Sequence, residues 1–174
     1  MNALLTALSV ALAVVVALTV PGGASAVLLC VLAALAAGVL IAWAEERERR
    51  FLLQVFVGGL LVRMALGTLI NAFNWQEFFG GDAFTYGLFG NALLNGLRRG
   101  VFCGGDAAEW AKSAGNGWGM IYLVAAIYAF VGRNMLAVQF FNAVVGAATA
   151  PIIFLCARHI FQNLRVAKLA ALFV

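Results

Sequence analysis

The sequence FLLQVFVGGLLVRMALGTLINAF at residues 51–73 decides the fold. It is a long apolar run in which Arg63 is the only ionisable residue. About 20 mainly apolar residues are enough for a helix to cross a bilayer. Four more apolar runs accompany this one, at residues 4–20, 24–44, 118–131 and 136–157. The sequence therefore predicts an all-α fold, a polytopic membrane helix bundle with about five transmembrane helices.

The composition of the chain also favours a membrane protein. Hydrophobic residues make up 65% and charged residues 10%, whereas soluble domains carry about 25% charged residues. A mean hydropathy of +1.02 excludes a disordered chain, and three cysteines provide no disulfide framework. The net charge of +4 comes from 11 basic and 7 acidic residues. Several of the basic residues lie beside apolar runs, so we expect membrane lipids as partners and no nucleic acid.

The apolar runs divide the chain into three regions. Residues 1–73 are predicted to form three transmembrane helices, residues 74–117 a long outer loop with short amphipathic helices, and residues 118–174 further spans. The first run could instead be a cleaved secretory signal, because Ala24-Ser25-Ala26 resembles a cleavage site. The final run, Leu169 to Val174, is too short to cross a membrane. We therefore expect the N-terminal part of a longer protein, inactive by itself.

The block EERERR at residues 45–50 indicates which side of the membrane each loop occupies. Its arginines lie between two long spans near the N-terminus, which favours a cytoplasmic loop under the positive-inside rule. Residues 74–117 then face outward. The remaining charges conflict with this assignment, because alternating five spans places four basic residues inside and six outside. The inner set is Arg47, Arg49, Arg50 and Arg133, and the outer set is Arg98, Arg99, Lys112, Arg158, Arg165 and Lys168.

Arg63 is the first candidate functional residue. An arginine near the middle of a span is costly in hydrocarbon and marks a functional or paired site. Gly59 and Gly67 share its helix face and would let another helix approach closely, with the guanidinium directed into the bundle. There it could bind a phosphate or an acidic partner, but an internal ion pair or a snorkelling side chain explains it equally well.

Two similar phrases occupy the predicted outer loop. GGDAFTY begins at Gly80 and GGDAAEW begins at Gly104, so each has an aspartate after two glycines, Asp82 and Asp106. Both aspartates could simply cap helices. Apolar residues recur at helical spacing after Asp82, which predicts an amphipathic helix ending near Gly100. Such a helix would lie at the membrane surface and hold Asp82 close to a lipid-borne substrate.

A polar face is predicted in the last complete span. Gln139, Asn142 and Gly146 recur at helical spacing. Hydrogen bonding between helices explains these amides more simply than contact with a ligand.

Two segments carry a resemblance to a known family. FFGGDAFTYGLFGNALLNGLRRG, followed by GWGMIYLVAAIYAFVGRNMLAVQFFNAVVGAATAPIIFLCARHIF, resembles the N-terminal part of GT-C glycosyltransferases. The likeness is greatest to bacterial glycosyltransferase family 39-like proteins, relatives of the dolichyl-phosphate-mannose protein mannosyltransferases. It covers residues 78–174, a little over half of the chain.

The resemblance implies a chemistry and a location. Enzymes of this family transfer a sugar from a polyprenyl-phosphate carrier to an acceptor on the outer face, here of a bacterial inner (plasma) membrane. The loop aspartate, matched by Asp82, is implied to act on the acceptor or to help hold a divalent metal. Arg63 lies outside the resemblance, and we add it as the cation that would stabilise the leaving phosphate. Arg63, Tyr86 and Asp106 are our candidate substrate-binding residues.

The sequence departs from the family pattern, and two other interpretations stay open. Three apolar runs precede Asp82 where the family has one. A non-enzymatic transporter or assembly subunit would use Arg63, Gln139 and Asn142 to line a permeation or packing surface. A polymerase or ligase of lipid-linked oligosaccharides would share the substrate chemistry of the transferase.

Overall fold

The computed structural model describes residues 3–44, 46–75, 82–100 and 118–173, without the side chains of Arg47, Asp82 and Trp118. Within these ranges the regular structure is entirely helical, which confirms the all-α prediction. The helices are α1 (Ala3–Thr19), α2 (Gly23–Ala42), α3 (Glu46–Ala72), α4 (Asp82–Arg98), α5 (Trp118–Val131), α6 (Met135–Phe161) and α7 (Leu164–Leu172).

Three helices are long and apolar enough to cross a membrane, namely α2 with 20 residues, 25 residues of α3 and α6 with 27. The prediction of five spans is therefore wrong for the described residues. The helix α5 has 14 residues, or about 21 Å at 1.5 Å per residue, against a hydrocarbon core of about 30 Å. The 17 residues of α1 also fall short.

The outer surface of the bundle suits lipid better than water. Only 17% of the α2 span is buried inside the protein, although its mean hydropathy is 2.7. Large apolar side chains such as Leu18, Leu40 and Phe130 are more than half exposed. An apolar surface of this extent is rare on soluble monomers and is typical of a helix bundle that faces hydrocarbon.

The helix α6 lies at the centre of the packing and contacts α2, α3 and α7. Small side chains at its interfaces, among them Ala143, Ala147 and Ala150, let these helices approach closely. Glycines on α3 face the same surface: a Cβ atom on Gly59 would lie 3.8 Å from Cβ of Ala147, and one on Gly67 would lie 3.9 Å from Phe140. This confirms the prediction that the glycine face of the third span packs on another helix.

Polar contacts define two ends of the bundle. At the first, which we call the turn end, residues 21–25 meet Asn71 and residues 131–136. There the Asn134 amide donates hydrogen bonds to the Gly22 carbonyl (2.7 Å) and the Ser25 hydroxyl (3.0 Å). At the second, the basic end, Arg158 forms an ion pair with the buried Glu48. Lys168 of α7 lies near this end too, with its ammonium 5.3 Å from the centre of the Phe51 ring.

The basic residues at these two ends show that two predictions about the side of the membrane were wrong. Arg133 lies at the turn end, away from the 45–50 block, so its predicted placement with that block is wrong. Arg158, Arg165 and Lys168 lie at the same end of the bundle as the 45–50 block, whereas the prediction placed them on the opposite side of the membrane. The error arose from counting residues 118–131 as a full crossing, which inverted every later assignment. In the structure α4 begins and α5 ends near the turn end, because Ala83 and Met135 line one cavity.

The helices α4 and α5 form an antiparallel pair. A Cβ atom on Gly90 would lie 2.6 Å from Cγ1 of Val124, and one on Gly87 would lie 3.2 Å from the Tyr128 hydroxyl. The predicted helix after Asp82 is confirmed, and Gly100 beyond its end has a φ of 75°. The predicted helix after Asp106 lies outside the described residues.

Candidate functional site

A cavity of about 300 Å³ lies between α4, α5 and α6, and we call it the hairpin cavity. Its volume is at the lower limit of about 300–1,000 Å³ that is usual for small-molecule sites. The wall combines apolar and uncharged polar groups. Its lining includes Tyr86, Gly87, Tyr128, Met135, Gln139 and Asn142.

The helix α4 connects this cavity with the predicted catalytic residue. Asp82 is the first residue of α4, the adjacent Ala83 lines the cavity, and so does Tyr86. Residues four apart share one face of a helix, so Asp82 and Tyr86 lie one above the other. The backbone therefore brings the predicted catalytic residue to the rim of a cavity that contains one of the predicted substrate-binding residues.

Gln139 supplies a polar atom inside the protein. Its side-chain oxygen is buried and accepts no hydrogen bond from the described part of the chain. The expected hydrogen bond between helices is therefore not formed at this atom. Asn142 lies one turn further along α6 and lines the same cavity. The sequence analysis identified both residues but favoured a packing role, because the sequence of a helix does not show whether a cavity lies beside it.

Tyr128 is a residue of this cavity that the sequence analysis did not select as a site residue. Its side chain is 1% exposed and lies on α5, outside the three spanning helices. Burial raises the pKa of the Tyr128 hydroxyl above its usual range, while the positive charge of Arg133 partly opposes this effect. The hydroxyl is therefore neutral near pH 7 and can both donate and accept hydrogen bonds.

Arg63 lies in a different cavity, of about 540 Å³, between α3, α6 and α7. We call this the Arg63 cavity. The guanidinium packs over a glycine of α6: a Cβ atom on Gly146 would lie 3.2 Å from Nε of Arg63. Gln54 also contributes to the lining, and most of the remaining wall is apolar. The arrangement places a positive charge inside the bundle, where an anionic group would be attracted to it.

The four predicted site residues therefore fall into three groups. Asp82 and Tyr86 lie together on α4, Arg63 lines a separate cavity, and Asp106 is outside the described residues. The two cavities are close, because Asn142 of one and Gly146 of the other are a single turn apart on α6. Within the described ranges no three histidine, cysteine or acidic residues gather as metal ligands.

Three helices able to span a membrane and two largely apolar cavities, each with a few polar groups, define a helical membrane bundle. Comparison with protein-family models, curated proteins and solved structures finds no match to this chain. The resemblance to GT-C glycosyltransferases therefore stays a prediction made from the residues quoted above.

Proposed function

We propose that this chain belongs to an integral-membrane glycosyltransferase that takes a sugar from a polyprenyl-phosphate carrier. The acceptor would be bound at the outer face of the membrane, and Asp82 would be the catalytic base. The observation that carries the proposal is the position of Asp82 at the start of α4, beside the hairpin cavity. An acidic residue at the first position of a helix that begins near one end of the bundle suits a reaction between a lipid-linked group and an acceptor from water.

The proposed reaction needs two kinds of group. Asp82 would take the proton of an acceptor hydroxyl while the hydroxyl oxygen bonds to the anomeric carbon of the sugar. The bond between that carbon and the phosphate oxygen breaks, and the polyprenyl phosphate leaves with the electron pair. A cation near the phosphate would stabilise the developing charge, and Arg63 is our candidate for that role. The short separation of the two cavities along α6 supports this division of tasks.

The distribution of charge supports an outward position for Asp82. Six basic residues belong to segments at the basic end, and that end would face the cytoplasm under the positive-inside rule. They are Arg47, Arg49, Arg50, Arg158, Arg165 and Lys168. The turn end carries Arg133 and would face outward, together with the start of α4. The bacterial plasma membrane is the location we propose, from the resemblance alone.

The test is a transfer assay on the complete gene product in proteoliposomes, with a labelled polyprenyl-phosphate sugar and a hydroxyl acceptor. We expect Asp82→Asn to lower the rate by about 10²–10⁴, the usual contribution of a general base. Expression and membrane insertion should stay unchanged, because asparagine caps a helix as well as aspartate does. Activity equal to that of the wild type would reject the proposal.

A non-enzymatic transporter or assembly subunit is the second candidate function. The observation that favours it is the Arg63 cavity, which is larger than the hairpin cavity and contains a cation within a spanning helix. In that case Asp82→Asn should have little effect, whereas Arg63→Gln should abolish function. Asp82→Asn therefore separates the two proposals, whereas Arg63→Gln is expected to be damaging under both.

A further inference from the structure

We propose that the basic end binds one anionic phospholipid, with its phosphate between Arg50 and Lys168 and one acyl chain in the outer part of the Arg63 cavity. This lipid is neither the sugar carrier nor the acceptor of the proposed function, so the inference goes beyond it. Arg50 precedes Arg63 by 13 residues on α3, or about 20 Å along the helix axis, so the two arginines serve different groups.

The basic end carries more positive than negative charge. Its two segments, residues 45–50 and 158–168, contain six basic and three acidic residues. In the described part of the chain, Glu48 is already paired with Arg158, and no carboxylate lies within 4.0 Å of the charged groups of Arg50 or Lys168. Both of these side chains are exposed. Basic groups at a membrane surface attract anionic lipid headgroups, so this end favours a lipid with net negative charge.

Arg50 and Lys168 each lie one helical turn outside the Arg63 cavity. Gln54 follows Arg50 by four residues on α3 and lines this cavity, and Leu172 follows Lys168 by four residues on α7 and lines it too. Residues four apart share one face of a helix, so both cations lie at the mouth of the cavity nearest the basic end. Lys168 also contacts the wall, because its ammonium lies 5.3 Å from the centre of the Phe51 ring, which lines the cavity.

The cavity has the depth and the opening that an acyl chain needs. Its wall is largely apolar, and the lining residues Gln54, Val62 and Leu172 are exposed on the outside of the bundle, so a chain can enter from the bilayer. From Phe51 to Val62 the cavity extends about 16 Å along α3, at 1.5 Å per residue. One leaflet contributes about half of a hydrocarbon core of about 30 Å. The cavity therefore matches the reach of an acyl chain below a headgroup at the basic end.

The apolar neighbours of Lys168 distinguish a lipid from a soluble anion. Leu169 and Leu172 of α7 are 56% and 63% exposed. A free phosphate would meet the two cations but leave this apolar surface and the cavity uncovered. A phospholipid covers both, and burial of the apolar surface adds to the attraction between charges.

Native mass spectrometry of the full chain in a neutral detergent counts bound lipids and tests the proposal. The probes are phosphatidylglycerol and phosphatidylcholine with the same acyl chains, and glycerol phosphate, which has the headgroup chemistry without the chains. We expect one phosphatidylglycerol to bind about tenfold more tightly than phosphatidylcholine. Lys168→Gln and Arg50→Gln should each weaken its binding about fivefold, the effect of one basic residue at a membrane surface. Lys168→Arg should keep the wild-type Kd. Arg133→Gln is the matched control, because it removes the same charge at the turn end, and it should also leave the Kd unchanged.

Four outcomes would overturn the inference: equal affinity for the two phospholipids, an unchanged Kd in both Lys168→Gln and Arg50→Gln, an equal loss in Arg133→Gln, or displacement of the lipid by equimolar glycerol phosphate. The last result would mean a site for free anions. Thermal unfolding shows whether each variant is folded. Failure of the proposed function is distinguishable, because phosphatidylglycerol binding of this kind in a protein without transfer activity would reject the transferase and leave the inference standing.

Discussion

Arg158, near the end of α6, forms an ion pair with Glu48 in the first turn of α3. The pair joins the start of one spanning helix to the end of another, so both charges lie at the same end of the bundle. Glu48 is 5% exposed and the Arg158 side chain is 37% exposed. A carboxylate this deeply buried needs a cationic partner, which explains why the chain places an arginine opposite it.

Removing Arg158 should destabilise the protein more than removing Glu48. Arg158→Gln leaves a buried carboxylate without its partner, whereas Glu48→Gln leaves a cation that water can still reach. We expect a loss of about 1–3 kcal/mol in unfolding free energy for Arg158→Gln, less than for a fully buried pair. Denaturant unfolding in detergent measures both variants and the double variant. Additive losses, or a greater loss for Glu48→Gln, would contradict the assignment.

Asn134, the first capping residue of α6, should contribute more to stability than Asn163, which caps α7. Its side chain caps α6 by accepting from the Ala137 amide and also donates to Gly22 and Ser25. Asn163 caps α7 by accepting from the backbone only. Asn134→Ala should therefore cost about 1 kcal/mol more than Asn163→Ala in unfolding free energy, the contribution of the additional hydrogen bonds. Equal losses would show that the contacts with residues 22–25 contribute nothing.

Gly90→Ala should separate α4 from α5. The added Cβ would lie 2.6 Å from Cγ1 of Val124 and 3.2 Å from the Ala125 backbone nitrogen, which cannot move aside without shifting the helix. We expect a loss of about 1–3 kcal/mol, as in other overpacked interiors. Gly38→Ala in α2 is the matched control, because nothing lies within 4 Å of its added Cβ. The control should gain up to about 1 kcal/mol through helix propensity. Similar thermal unfolding of the two variants would contradict the α4–α5 packing.

Periodicity and residue size predicted much of the fold. The apolar runs located α2, α3 and α6, and the spacing of Gly59, Arg63 and Gly67 predicted the face that packs on α6. The number of crossings was wrong, because hydropathy does not distinguish a spanning helix from a short apolar one that pairs with α4. The hairpin cavity was not predictable either. It depends on how α4 and α5 pack on α6. The spacing of residues within one helix contains no information about the distance between helices.

The most direct test of the account is the side of the membrane on which Asp82 lies. Cys30, Cys103 and Cys156 are first replaced by serine, and a single cysteine is then introduced as Asp82→Cys or, at the basic end, as Gln162→Cys. We predict that a membrane-impermeant maleimide labels Asp82→Cys in intact cells and labels Gln162→Cys only after the membrane is opened. Labelling of Gln162→Cys in intact cells, with Asp82→Cys reactive only from the cytoplasmic side, would contradict the account.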